Sequence, residues 1–120
     1  MKKYFFALLL LASPLSFAQE AKGVIKEIQI CGTGTKGPNW SRTLQFKVDG
    51  KWFGTWADHV GGAIDYDDTI STSLVFMAAS QKLPVHIKAT EPWVNLFKNC
   101  GVNEGAVFYR NNGDFIRISY

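Results

Sequence analysis

One helical pattern stands in a chain that otherwise alternates like β-strand. Thr69 to Lys82 (TISTSLVFMAASQK) places Ile70, Leu74, Met77 and Ala78 on one face at helical spacing. Asp68 or Thr69 can cap its start, where nearby acids suit the positive end of the helix, and Pro84 stops it. About three strand patterns precede this segment and two or three follow. A small closed β-barrel with a single helical insert satisfies that order.

The first residues read as an export address. Lys2 and Lys3 supply a positive start, and Tyr4 to Ala12 is an apolar run too short to span a bilayer. Ser16-Phe17-Ala18 offers small residues at the −3 and −1 positions, so cleavage is expected after Ala18. Residues 1–18 are then a signal peptide, and residues 19–120 form one domain that is secreted or periplasmic in a bacterium. Removing Lys2 and Lys3 from the 13 basic residues leaves 11 against 10 acidic ones, a mature net charge of about +1. The signs are interspersed and no basic block appears, which argues against a nucleic-acid partner. No later run is apolar and long enough to span a membrane. In an oxidising compartment, a Cys31–Cys100 disulfide is the simplest use of the two cysteines. Closing so long a loop stabilises a fold by about 4 kcal/mol in the chain-entropy model.

The first strand is expected over Gly23 to Ile30, with Val24, Ile28 and Ile30 on one face. A glycine- and threonine-rich loop, Gly32 to Ser41, leads to Thr43 to Val48, where Leu44, Phe46 and Val48 alternate with Thr43, Gln45 and Lys47. Asp49-Gly50 then supplies a type I′ hairpin turn, and Lys51 to Ala57 returns. A two-residue turn sets the register: Val48 opposite Lys51, Lys47 opposite Trp52, Phe46 opposite Phe53 and Thr43 opposite Trp56. Opposed residues share a face. If Leu44, Phe46 and Val48 point into the core, Trp52 and Trp56 share the other face with Thr43, Gln45 and Lys47. Two tryptophans there call for a ligand, a partner surface or a covering loop; a bulge at Gly54 would turn Trp56 inward. Asp58 to Asp68 reads as a loop, and Leu83 to Thr90 as the next strand. Glu91 to Gly105 is a long connection carrying Trp93 and Cys100. Asn112-Gly113 marks a second hairpin that places Val107, Tyr109, Ile116 and Ile118 on one face.

No catalytic constellation emerges. Asp58 and His59 are adjacent on a strand and point to opposite faces. The sequence has no G-x-S-x-G elbow to make Ser71 or Ser73 a nucleophile. Asp65, Asp67 and Asp68 lack the glycine and terminal glutamate of a calcium loop. The expectation is therefore no enzyme, no cofactor and no metal. Aromatic faces stacked on sugar C–H surfaces, with polar groups for the hydroxyls, give the better reading. Its residues are Trp52, Trp56, Trp40 and Trp93, with Lys47, Gln45, Asn39 and Asp58 supplying the polar groups.

The order β-β-β-α-β-β, with an extra C-terminal strand, resembles the oligonucleotide/oligosaccharide-binding (OB) barrel. That resemblance implies a binding face on the second and third strands, here holding Trp52 and Trp56. The flanking loops hold Trp40 and Trp93. Gly23-Val24-Ile25, Ser71 to Ile87 (STSLVFMAASQKLPVHI) and Pro92-Trp93 are also similar to the receptor-binding B subunits of bacterial toxins with one A chain and five B subunits, the subtilase-cytotoxin and pertussis-like group. The likeness implies a secreted OB domain, a glycan or glycoprotein ligand, a pentameric homo-oligomer and a secreted A-type partner. Lys22 stands where this group often carries a sugar-binding serine, and Ala89 where an aromatic is expected, so the group's sialic-acid site is not carried over. A periplasmic protein-binding module, such as an inhibitor or envelope-stress factor, is the alternative function.

Overall fold

The computed structural model describes residues 18–32, 40–61, 64–67, 69–109 and 111–119. Residues 1–17, most of the expected signal peptide, together with Asn39 and Asp68, lie outside the described residues. The chain is mostly β, with one α-helix among the described residues. In order come β1 (Gln19–Gly23), β2 (Ile25–Gly32), β3 (Trp40–Val48), β4 (Lys51–Gly61), β5 (Ile64–Asp67) and α1 (Thr69–Gln81). They are followed by β6 (Val85–Ala89), β7 (Glu91–Pro92), a 3-10 turn (Asn95–Lys98), β8 (Ala106–Val107) and β9 (Phe115–Ile118).

Two sheets result, ordered β1-β6-β9 and β2-β3-β4-β8-β7, with β5 paired to the end of β4. They are not independent. β1 runs into β2 across Val24, and β6 runs into β7 across Thr90. Because β1 pairs with β6 and the second sheet runs from β2 to β7, the hydrogen-bonded circuit closes into a small OB-like barrel. The helix sits between the third and fourth long strand segments, as the pattern predicts.

The first hairpin has the predicted register at all four positions. Asp49 and Gly50 both have positive φ, 51° and 74°, as a type I′ turn requires. The irregularity in this pair falls between Arg42 and Thr43, not at Gly54, so Trp56 keeps its side. Leu44, Phe46, Val48 and Phe53 are fully buried and pack with Val85, Ile87 and Ala89 of β6 and with Val75 and Ala78 of α1.

Four expectations are corrected. Of the expected Ile70, Leu74, Met77 and Ala78 face, Ala78 alone is buried: the helix buries Thr72, Val75 and Ala78, while Ile70 is 86% exposed and Met77 42%. Apolar residues lie all round this helix, so periodicity does not single out a side. The small side chains let it approach the barrel, and Thr72 returns its hydroxyl to the Thr69 carbonyl at 3.2 Å. Second, the first strand is two strands, and Ile28 and Ile30 are exposed although they face the same way as Phe46 and Leu44. They stand on β2, the edge of the sheet, beyond the packed core. Third, Asp58 to Asp68 is not all loop: β4 runs to Gly61 and pairs with β5. Fourth, Asn112-Gly113 turns the chain, with the Asp114 amide bonded to the Asn111 carbonyl at 3.1 Å, but joins no paired hairpin among the described residues. β8 belongs to β4 and β7, while β9 pairs with β6. The Asp114 carboxylate accepts bonds from the Thr90 amide and hydroxyl at 3.0 and 2.9 Å, fixing the turn against β6 instead.

Candidate functional site

Thr43, Gln45 and Lys47 of β3 and Trp52, Gly54 and Trp56 of β4 share the side of the hairpin turned away from the main core. Of the three answers to the tryptophan problem, an intrachain cover accounts for most of this face. Trp93, Phe97, Val102 and Val107 form a second apolar cluster over it, with Trp52 and Trp56 packed at its margins. Gly54 makes the cover possible: a Cβ there would stand 2.6 Å from the Phe97 ring and 2.8 Å from Trp93. Gly105 plays the same part from the other side, where a Cβ would meet Trp93 at 2.7 Å. Phe97 meets Trp56 edge-on, with ring centroids 4.9 Å apart.

Polar groups clamp the cover down. The Trp93 indole N–H donates to the Val102 carbonyl at 3.0 Å. Gln45 is fully buried and donates to the Phe97 carbonyl at 2.8 Å and to the Thr43 hydroxyl at 3.1 Å. Gln29 donates to the Gln45 carbonyl oxygen at 2.8 Å. A buried amide is costly unless paired, and this chain of bonds satisfies it. The Cys31–Cys100 disulfide, spanning 69 residues, ties the end of β2 to the same segment.

Among the described residues, an opening lies beside each of the two hairpin tryptophans, Trp52 and Trp56. The larger is a cleft of about 440 Å³ lined by Trp52 and Trp93 together with Gln19, Lys51, Lys98 and Glu104. Asn103 and Gly105 also reach it. The Gln19 amide donates to the Trp52 carbonyl at 2.5 Å and so joins β1 to the cleft wall. The smaller, about 200 Å³, is mostly apolar, lined by Trp56, Pro92, Val94, Phe97, Val107 and Tyr109 with Glu91 as its one charged residue.

The structure therefore separates residues that the pattern grouped. Trp52 and Trp93 line the first cleft. Lys47 stands beside them, its Nζ 5.9 Å from the Trp52 ring centroid and 3.4 Å from the Glu27 carboxylate. Trp56 belongs to the second hollow. Gln45 is committed to the interior and does not reach the surface. Asp58 pairs with Arg42 across the β3–β4 ladder, and Trp40 lies in β3 opposite Val60. Sequence reasoning missed Gln19, Lys51, Lys98, Asn103 and Glu104. A signal for three of them was present: a bridge at Cys100 must carry Lys98, Asn103 and Glu104 to the barrel with it.

No family model, curated protein or solved structure matches the chain. Fold and site alone define it, as a disulfide-bridged, mostly-β barrel domain with a polar-walled aromatic cleft. Among the described residues no helix is long and apolar enough to cross a membrane.

Proposed function

We propose that this protein is an exported, non-enzymatic binding module and that the Trp52 cleft takes a saccharide. The observation that carries the reading is the composition of the cleft. One half-buried indole stands among an amide, two ammonium groups, a carboxylate and an asparagine. An indole offers an apolar face to a sugar ring, and the surrounding donors and acceptors match hydroxyl groups. The strand order, shared with glycan-binding OB domains, supports the same reading. Titration with a panel of oligosaccharides, read by tryptophan fluorescence, tests it. Saturable quenching that Trp52→Ala abolishes and Trp56→Ala leaves intact is the expected outcome. Silence on a glycan array together with unchanged fluorescence removes the reading.

A protein partner is the second reading, supported by different residues. The hollow at Trp56 is mostly apolar, and Ile28, Ile30, Phe76 and Met77 are exposed. Self-association as a B-subunit-like ring would use the same apolar residues. A stoichiometric protein captured from periplasmic extract favours a foreign partner, and native mass in solution reports a ring.

A further inference from the structure

The outer face of the β1-β6-β9 sheet carries a regular grid of charges. Alternation sends Ala21 and Ile87 into the core and the intervening residues outward. Lys22, His86 and Arg117 stand directly opposite one another across the three strands. The next row is Glu20, Lys88 and Phe115. Like charges opposed across a ladder destabilise a sheet. Here one row holds two permanent cations flanking a histidine, with a third cation in the adjoining row, on a mature chain whose net charge is close to zero.

The grid is arranged to keep its cations available. The Arg117 guanidinium stacks on the Phe115 ring at 4.0 Å. A guanidinium held over a ring can still turn its in-plane N–H donors to an anion. His86 meets the same ring edge-on at 4.8 Å. Glu20, the one carboxylate in these two rows among the described residues, is bonded to His86 at 2.5 Å. That bond holds the Glu20 carboxyl below its ordinary value, and Lys88 and Lys22 add to the effect. Strand spacing sets the backbones of the outer cations of the first row roughly 10 Å apart. Repeated anions along a chain match cations so distributed over three strands.

We propose that this face binds a linear polyanionic saccharide, a chain bearing sulfate, phosphate or carboxylate groups. Continuity with the cleft favours such a polymer. Gln19 lines the cleft, the next residue along β1 opens the grid, and Lys51 of the cleft donates to the Glu20 carbonyl at 3.2 Å. The polymer's saccharide character rests on the reading of the Trp52 cleft; its binding through anions does not.

The test uses the full mature chain with its disulfide intact and sulfated dextran as probe, with affinity measured across a salt series. Lys88→Gln with Arg117→Gln is expected to weaken binding about tenfold or more and to flatten the log–log salt dependence by about two. Glu20→Gln is expected to tighten binding. Lys26→Gln with Lys82→Gln makes the same change of net charge elsewhere and is expected to leave affinity unchanged. Equal weakening by both pairs reduces the effect to net charge and overturns the proposal. So does failure to bind sulfated dextran at low salt, and so does binding to phosphatidylglycerol vesicles alone. If Trp52→Ala leaves sulfated-dextran binding intact and no oligosaccharide quenches fluorescence, the cleft reading falls and the anion-binding face stands.

Discussion

Gly54→Ala is the sharpest test of how the aromatic cover is held. Gly54 has no positive φ, so alanine meets no backbone objection there. The objection is space. The new methyl would stand 2.6 Å and 2.8 Å from Phe97 ring carbons and 2.8 Å from Trp93. Carbon contacts relax at roughly 3.5–4.0 Å, so the rings must retreat by about 1 Å. Trp93 has little room to do so, with Gly105 behind it and its N–H bonded to Val102. Overpacking of this kind costs about 1–3 kcal/mol. The loss of glycine's unfolded-state freedom returns about 0.4–1 kcal/mol. The net expectation is a destabilisation of about 1–2 kcal/mol, which lowers the melting temperature by roughly 5–15 °C in a domain of this size. Urea unfolding of the oxidised protein, followed by tryptophan fluorescence, measures it. Phe97→Leu supplies the second arm. If the clash is the cause, that substitution costs less in the Gly54→Ala background than alone, with a coupling of about 1 kcal/mol. Strict additivity, or a Gly54→Ala protein as stable as wild type, would refute the packing argument.

Two further outcomes follow from backbone and charge. Lys82 closes α1 with φ 54°, its amide and that of Leu83 bonding the Ala79 and Ala78 carbonyls; a left-handed conformation suits glycine there, so Lys82→Gly is expected to raise stability by about 1 kcal/mol in urea melts. Glu20 has its folded value below 4.5, chiefly through the His86 bond. Its contribution is therefore present above that ordinary value and lost as pH falls through the lowered one. The stability difference between wild type and Glu20→Gln, read from urea midpoints, is expected to hold at neutral pH and to vanish in acid; a difference independent of pH refutes the pairing.

The parts of the fold legible in the sequence are those fixed by local rules. Asp49-Gly50 dictates a turn, the turn dictates a register, and the register places Trp52 opposite Lys47 without reference to the rest of the chain. Pro84 and the helical spacing bound α1 within a residue. What failed was decided by distant partners. The side of α1 that packs is chosen by the shape of the barrel, because apolar residues surround the helix. Asn112-Gly113 does turn, but Thr90 and β6 compete for the following strand and win. The site was half legible. Trp52 and Gln45 are both on the face where alternation puts them, but Gln45 is buried there because the covering segment brings the Phe97 carbonyl to it from 52 residues away. Gln19 escaped notice because it lies at the expected cleavage point, and nothing local announces that β1 runs along the cleft.

Barrel closure also sets an order of events in time. β1 is the first strand among the described residues, yet its partner in the circuit is β6, which starts at Val85. A chain made or threaded from its amino end therefore holds its opening strand unpaired until roughly three quarters of its length is present. Contacts so far apart in sequence form slowly. The second sheet can assemble its β2-β3-β4 portion meanwhile, but the ring and its outer grid of charges appear together, and only at the end.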